Sequence, residues 1–560
     1  MNQCTQCKKE FEITDADREF YAKINVPEPL WCPDCRQMSM WVFRNERNYY
    51  SRTCDLCKKA IISVYHPQRI KNVYCQKCWW SDAWDPKEYG KEFNPSRPFF
   101  EQYRELLEKV PKISMMNDDT ITSQNCEYCY DFAYGKNCYM MTGSWKVENC
   151  MYGVMNCDVK DSVDNSILDN CEYVYENAAC DKNYACQHCV QCTNDTNVIF
   201  GYDLKNCNDC IACAGLRNKQ YCIFNEQYSK EEYEKKRTEL RLETWSGREK
   251  VKKEFAKFII KIPRRYAHFV NCEDCTGDNL FRSKNAKDSF SFLGLENCRY
   301  MTKGDGGKDC YDIVHTGGPE RCYWSVTPDN SYEEFFVVFC WKSQWVMYSE
   351  NCHTSENLLG CVGLKKSKFC ILNKEYSESE YKVLKEKIID GLKERGEWGQ
   401  FFPNSTSLFA YNESIAVFHY PLEKEQALLY GYSWADDLPG TRGKETVFWD
   451  AVADSIRDID DGIAKEIFAC KECGKNYKMI PLEFKFYKQQ NIPLPRFCPD
   501  CRFVKRSNLM NPYHLWHRQC MCEKSDHDHT SRCTMEFETS YAPERPELIY
   551  CEQCYQKEMA

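Results

Sequence analysis

Long apolar runs are missing from this sequence. Its mean hydropathy is -0.68, and no stretch approaches the roughly 18 to 20 uncharged apolar residues that a membrane span needs. The first ten residues also lack the apolar core of a secretory signal. We therefore expect a soluble, cytoplasmic protein that does not bind membranes.

Positive charge is not in excess either. The chain has 75 Lys and Arg against 84 Asp and Glu, a formal net charge of -9 at pH 7. Such a chain does not attract nucleic acid through its overall charge, so any basic surface must be local.

A catalytic constellation is also lacking. The glycine-rich stretches 304–307 and 317–319 have neither the Lys-Ser/Thr of a phosphate loop nor G-x-G-x-x-G spacing, which favours turns. A carbohydrate-active enzyme is a weaker alternative, because aspartate is common in turns. Its candidate acids are Asp158, Asp161, Asp164 and Asp169. The sequence predicts a protein that is not an enzyme.

Cysteine, by contrast, is abundant: 40 of the 560 residues are Cys. Without an export signal a disulfide scaffold is not expected, because the cytosol keeps thiols reduced. The remaining roles are metal ligation, redox chemistry and small apolar filling of a core. A redox C-x2-C would need a βαβ context, which the sequence does not show.

Four sets of cysteines have the spacing of zinc knuckles. The first and third share the pattern C-x2-C-x24-C-x2-C, which occurs once near each end of the chain. Four thiolates satisfy tetrahedral zinc and leave no open position, so we predict about four structural zinc ions per chain. The sets are Cys4, Cys7, Cys32 and Cys35; Cys54, Cys57, Cys75 and Cys78; Cys470, Cys473, Cys498 and Cys501; and Cys520, Cys533, Cys551 and Cys554.

The ligands of the fourth set remain open. Cys520 and Cys533 are separated by an insertion that the second set lacks. The insertion contains three competent alternative ligands, Cys522, His527 and His529.

The central region carries a second duplication. Glu148, Asn149 and Cys150 recur as Glu296, Asn297 and Cys298, and cysteines recur at 12-residue intervals. Short Tyr, Val, Ile and Phe runs broken by Asn, Asp and Gly are typical of brief strands and turns. We predict a mainly β fold with helices, in which a duplicated β-solenoid-like core with inward Cys and Asn ladders lies between the zinc modules. A meandering or sandwich sheet is the alternative.

The predicted segments follow from these repeats. They are a tandem zinc module over 1–80, a helical linker over 81–125, core copy 1 over 126–228, charged and basic helices over 229–270, core copy 2 over 271–376, a helix over 377–399, a connector over 400–465 and a second tandem zinc module over 466–560.

The central cysteines form two C-x2-C-x2-C runs that partly match iron–sulfur ligation. They are Cys186, Cys189, Cys192, Cys207, Cys210 and Cys213. The second copy has fewer cysteines in this stretch, which favours packed cysteines over a further zinc or an iron–sulfur cluster.

One segment concentrates basic residues. Val251, Phe255, Phe258 and Ile262 occupy one face of a predicted amphipathic helix. Its basic residues either contact nucleic-acid phosphates or form a solvated face, and the sequence favours neither. They are Arg248, Lys250, Lys252, Lys253, Lys257, Lys261, Arg264 and Arg265.

The motif CPDCR at 32–36 and 498–502, preceded by Phe-Tyr and Pro-x-Pro, resembles multi-zinc-ribbon (treble-clef-like) proteins of candidate-phylum bacteria. The C-terminal run TSYAPERPELIYCEQCY supports the resemblance, which covers the whole chain. It implies zinc binding and brings no activity with it. We therefore expect a non-enzymatic zinc-binding scaffold whose leading partner is structured RNA or a ribonucleoprotein. A protein-binding scaffold is the alternative, and an iron–sulfur or carbohydrate-active enzyme is less favoured.

Overall fold

A computed structural model describes residues 1–117, 122–314, 323–326, 335–340 and 342–559. Residues 317–319 and Cys322 lie outside these ranges. The described chain mixes helices and strands and divides into two compact units, 1–115 with 268–438 and 116–267 with 439–560. The N-terminal cysteine-rich segment thus belongs with the second half of the central region, and the C-terminal segment with the first half. The predicted linkers 81–125 and 400–465 each contain a boundary between units.

Strands of the first central half pair in parallel at a constant interval, which equals the spacing of the recurring cysteines. Tyr130 pairs with Thr142, Thr142 with Val154, Val154 with Ser166 and Ser166 with Ala178. A meander would instead have antiparallel neighbours. The strands are Tyr130–Ala133, Thr142–Trp145, Glu148–Met151, Val154–Cys157, Lys160–Val163, Ser166–Asp169, Ala178–Asp181, Thr196–Tyr202, Asn208–Ala214 and Gln220–Ile223, with Glu226–Gln227 antiparallel at the end.

The second half repeats this arrangement. Gln344 pairs with Glu356 and Glu356 with Lys368, again in parallel and at the same interval. Its strands are Phe269–Val270, Gly277–Phe281, Lys284–Lys287, Ser289–Arg299, Thr302–Lys308, Tyr311–Val314, Tyr323–Val326, Phe335–Val338, Gln344–Met347, Glu356–Leu359 and Lys368–Ile371, followed by antiparallel Lys374–Glu375.

The backbone turns left-handed at every third residue from 125 to 224, with φ between 47° and 70°. Asparagine tolerates this conformation better than most residues. In most Asn-Cys dipeptides the asparagine takes the left-handed position and the cysteine that follows points into the core, as Asn137 and Cys138 do. Asn156 and Cys157 are the reverse, with the asparagine buried and the cysteine exposed.

The prediction of inward asparagines fails at the left-handed corners, where the amides bond to one another, Asn137 Nδ2 donating to Asn149 Oδ1 at 3.0 Å. It holds at Asn165 and Asn177, which are buried: the backbone amide N–H of Asn177 donates to Asn165 Oδ1 at 2.9 Å.

Many inward positions hold small side chains that bond to their own backbone, beside larger ones such as Phe132 and Met141. The Cys138 thiol lies 3.3 Å from the carbonyl oxygen of Lys136, and the hydroxyl of Ser144 donates to the carbonyl oxygen of Thr142 at 2.9 Å. Thiol and hydroxyl thus make the same bond to the carbonyl two residues earlier. A buried serine is therefore satisfied at such a position.

This equivalence makes Cys138→Ser a mild change. We expect it to lower the free energy of unfolding by less than about 1.5 kcal/mol, as volume-conserving core substitutions do. The copy of Cys138 in the second half is Ala286, which is fully buried without a thiol. Urea denaturation measures the effect, and release of a metal ion by this variant would contradict the packed-cysteine interpretation.

Helices frame the cysteine-rich segments and the core. Ser229 and Ser377 are N-caps with capping boxes to Glu232 and Glu380, as their positions before charged helices predict. The helices are Asp15–Lys23, Pro33–Trp41, Gln76–Trp80, Phe99–Lys109, Lys230–Glu239, Trp245–Ile259, Glu378–Glu394, Ala416–His419, Lys424–Leu429, Pro481–Gln489, Pro499–Ser507 and Glu552–Met559.

Antiparallel hairpins carry the first cysteine pair of each set. They pair Asn2–Gln3 with Glu10–Phe11, Tyr50–Thr53 with Ala60–Ser63, Phe468–Ala469 with Asn476–Tyr477 and Trp516–Gln519 with Glu536–Thr539. Two short parallel pairs join Val73–Tyr74 to Lys112–Ile113 and Arg264–Arg265 to Ile549–Tyr550.

A buried arginine joins each cysteine-rich segment to the core within its own unit. Arg36 Nε lies 2.8 Å from Asp312 Oδ1, and Arg502 Nε lies 2.6 Å from Asp164 Oδ2. The two pairs lie at equivalent positions of the repeats that the sequence predicts. Burial raises the pKa of Asp312 to about 6, although Arg36 lowers it. Asp164 is thus a partner of Arg502 in the structure, and an acidic enzyme site that needs its free carboxylate is not supported.

Candidate metal centres

The first cysteine set closes around one point. Cys4 and Cys7 lie in the turn of the N-terminal hairpin, and Cys32 precedes the helix that begins at Pro33. Cys7 Sγ lies 3.6 Å from Cys32 Sγ, close to the separation of about 3.8 Å that tetrahedral thiolates with metal bonds of about 2.3 Å would have. The amide of Cys32 donates to Cys4 Sγ at 3.3 Å, as in a zinc knuckle.

The third set reproduces this geometry in the C-terminal segment. Cys473 Sγ lies 3.7 Å from Cys498 Sγ, and the amide of Cys498 donates to Cys470 Sγ at 3.2 Å. The turn needs a left-handed residue after the second cysteine. Gly474 supplies it with φ 71°, where the first set has Lys8 with φ 65°.

The second and fourth sets close in the same way. Cys57 Sγ and Cys75 Sγ are 3.9 Å apart, and so are Cys533 Sγ and Cys551 Sγ. In each of the four sets all ligand atoms lie within 4.8 Å of one another. The structure therefore brings the sixteen cysteines together in the four predicted groups, each able to hold a metal ion.

Hydrogen bonds favour a thiolate at individual cysteines of these groups, whereas burial raises the pKa of others, such as Cys75 and Cys501. The side chain of Cys498 lowers the pKa of Cys470 to about 4, against the opposing effect of burial. At Cys54, burial raises the thiol pKa, but the amides of Cys75, Cys57 and Leu56 outweigh it and bring the value to about 7. Thiolate is the form that binds metals. Four sulfur donors suit zinc and also iron centres, so each group could hold a metal ion and the donor set does not identify which metal.

The three alternative ligands lie beside the fourth set. Cys522 Sγ is 3.2 Å from His527 Nδ1, and His529 Nε2 is 3.4 Å from Cys554 Sγ. Cys522, His527 and Cys554 present ligand atoms within 4.8 Å of one another. Cys522, His527 and His529 are thus additional to the set Cys520, Cys533, Cys551 and Cys554. The four sulfurs of that set come together without them.

The six cysteines of the central C-x2-C-x2-C runs are buried core residues. Each thiol bonds to the carbonyl two residues earlier, as Cys186 does to Tyr184 at 3.3 Å and Cys213 does to Ile211 at 3.3 Å. This is the bond that Cys138 makes. It supports the packed-cysteine interpretation of this region.

The basic segment is a helix over Trp245–Ile259 that buries Val251 and Phe255, with Phe258 half-buried. Lys250, Lys253, Lys257 and Lys261 are exposed, and Lys252 is half-buried. The apolar stripe is thus packed against the core and most of the lysines face solvent.

Three of the predicted nucleic-acid contacts have structural roles. Arg248 is buried and donates to Gln187 and to the carbonyl of Leu242. Arg264 is buried with its guanidinium 3.5 Å from the Tyr202 ring centre. Arg265 forms a bidentate pair with Glu552 at 2.6 and 2.9 Å. These arginines therefore have partners within the protein, and their contact with nucleic acid stays a prediction.

Compared with known proteins, the chain matches no family model and no curated protein. The resemblance noted from the CPDCR motifs stays a prediction. Among the described residues, no helix combines the length and apolar character that crossing a membrane requires.

Proposed function

We propose that this protein is a non-enzymatic, cytoplasmic zinc-binding scaffold. The observation that carries the proposal is the complete four-cysteine coordination available in each of four groups. Four protein ligands leave no position for a substrate or a reactive water, so the ions would stabilise structure. Zinc is favoured over iron because the C-x2-C knuckles resemble those of zinc-ribbon and treble-clef modules.

The central halves fit this role as duplicated β-solenoids. Parallel pairing at a constant interval, left-handed corners at every third position and small inward side chains support this interpretation. A solenoid presents a long, regular surface, which suits binding rather than catalysis.

Metal analysis tests the zinc assignment. We expect at least four zinc ions and little iron per chain in anaerobically purified, desalted protein. Two or fewer zinc ions would contradict the proposal. Two or more iron ions per chain would instead favour iron in the four-cysteine groups or a cluster in the 186–213 region.

Structured RNA or a ribonucleoprotein is the partner that we propose first. Exposed Lys250, Lys253, Lys257 and Lys261 lie along one helix and its C-terminal end, within an otherwise acidic chain. Phosphates would be bound by these amines with release of counterions. A protein partner is the second candidate, because the same lysines would suit an acidic protein surface.

Replacing the exposed Lys250, Lys253, Lys257 and Lys261 by Gln is expected to weaken RNA binding and flatten its salt dependence. The slope should fall by up to about 0.7 for each single-strand phosphate contact that is lost. Folding should be unchanged, because Val251 and Phe255 keep their buried positions. Titration with structured and single-stranded RNA at two salt concentrations measures both quantities.

The helix over Glu378–Glu394 provides a matched control. Replacing Lys382, Lys385, Lys387 and Lys393 by Gln removes the same charge from a helix with many acidic neighbours, such as Glu378, which bonds Lys382. This control should bind RNA as the wild type does. Equal slopes in all three proteins, or no binding by any, would move the protein-binding scaffold to first place.

A further inference from the structure

The insertion between Cys520 and Cys533 makes this turn much longer than the Cys54-x2-Cys57 turn of the second set. Backbone bonds hold it in place: the amide of Cys533 donates to the carbonyl of Cys522 at 2.9 Å, and the amide of Met521 to that of Ile549 at 2.9 Å. Its position beside the fourth set is therefore determined by the fold.

We propose that the insertion builds a fifth metal site, in which the Cys554 thiolate bridges two zinc ions. One ion is held by Cys520, Cys533, Cys551 and Cys554. The other is held by Cys522, His527, His529 and the same Cys554. The proposal rests on the zinc assignment made above for the fourth set.

The distances suit a shared sulfur. The Cys522–His527 and His529–Cys554 contacts measure 3.2 and 3.4 Å. A sulfur and a nitrogen bound to one tetrahedral zinc are separated by about 3.5 Å. The three atoms of Cys522, His527 and Cys554 lie within 4.8 Å of one another. Cys554 belongs both to this group and to the four-cysteine set.

Each histidine is oriented with one nitrogen toward the site and the other toward an oxygen. His529 Nδ1 lies 2.6 Å from the carbonyl oxygen of Ser531, so it carries the proton and leaves the lone pair of Nε2 facing Cys554. His527 turns Nδ1 toward Cys522 and Nε2 toward the Glu558 carboxylate, 3.8 Å away. An oxygen behind the imidazole is the usual support of a zinc-bound histidine.

Burial gives the second ion an electrostatic role. Cys522 is fully buried, and Cys554 and His527 are 2% and 7% exposed. A second Zn²⁺ would offset the negative charge that a fully thiolate site accumulates, which is costly to bury. The second set lacks the insertion and serves as an internal comparison with one ion.

Metal stoichiometry of the full-length chain tests the proposal. We expect five zinc ions in the wild type, four in Cys522→Ser and in His527→Gln, and three in Cys554→Ser, because loss of the bridge releases both ions. Cys78→Ser, the matched change in the second set, should lose only one ion. Cys157→Ser removes an exposed cysteine outside the named groups and should retain five.

Co²⁺ substitution gives a second readout that does not depend on counting. Cys522→Ser should lose the absorption of one tetrahedral cobalt site while the other sites keep theirs. Four ions in both the wild type and Cys522→Ser would overturn the fifth site. Four ions in the wild type and three in Cys522→Ser would also overturn it, by making Cys522 a ligand of a single ion. Failure of the zinc assignment itself would show as two or fewer ions in the wild type.

Discussion

Cys32→Ser is expected to release one zinc ion and to unfold the N-terminal cysteine-rich segment. A structural zinc site contributes on the order of 10 kcal/mol to folding in small zinc modules. That is comparable to the whole stability of a typical domain, about 5 to 15 kcal/mol. The helix Pro33–Trp41 begins directly after Cys32, so its position would depend on an ion bound there. Elemental analysis and limited proteolysis measure the two effects.

The equivalent variant Cys498→Ser should have the same effect in the other unit. Cys138→Ser, which also removes a buried thiol, should keep every metal ion and its protease resistance. Treatment of the wild type with a strong chelator should reproduce the Cys32→Ser cleavage pattern. A Cys32→Ser protein that keeps its full metal content would show that Cys32 is not a ligand.

Arg36→Met is expected to lower the free energy of unfolding of its unit by about 3 to 5 kcal/mol at neutral pH, because removing one partner of a buried ion pair leaves an uncompensated charge. Asp312 would lose its partner in the core, since both side chains are almost fully buried, and it must then stay charged there or take up a proton at neutral pH, either of which is costly. Urea denaturation followed by tryptophan fluorescence measures the loss.

The loss should shrink as the pH falls. In the folded protein burial already raises the pKa of Asp312 to about 6, and Arg36 opposes that effect. Without Arg36 the folded pKa rises further above the unfolded value of about 4. The variant therefore regains stability as Asp312 takes up a proton. The gain begins when the pH falls below the pKa of Asp312 in the folded variant, and it is complete near the pKa of Asp312 in the unfolded chain. A loss that is the same at pH 5 and pH 8 would contradict this account.

Two controls separate burial from charge. Lys505→Met breaks an exposed pair with Glu472, and exposed pairs contribute about 0 to 1 kcal/mol. Arg36→Met combined with Asp312→Leu removes both charges and should recover much of the stability of the wild type. A double variant as unstable as Arg36→Met would assign the effect to packing of the Arg36 side chain over Tyr300.

The four cysteine groups could be predicted from the sequence because metal ligation is largely local. A C-x2-C pair places two sulfurs on one turn of the backbone. The interval between the two pairs of a set is the same near both ends of the chain, which indicates that the second pair folds back onto the first in each. The caps at Ser229 and Ser377 are equally local, since each involves residues three apart. The regular recurrence of cysteine likewise reflects the interval at which strands pair.

Other features required the tertiary structure. The sequence does not tell whether the amides of Asn137 and Asn149 point into the core or lie at left-handed corners. Asparagines in either position would recur at the same interval. The burial of Arg248 and Arg264 depends on Gln187 and Tyr202, to which no short spacing connects them.

The association of each cysteine-rich segment with the more distant half of the central region is the clearest case. It depends on Arg36 and Asp312, 276 residues apart, and on Arg502 and Asp164, 338 residues apart. The sequence alone determined the ligand sets, the repeat intervals and the helix caps, since these arise from contacts within a turn or between copies of a repeat. Only the tertiary structure decided which segment joins which core, because a buried arginine finds its carboxylate through packing.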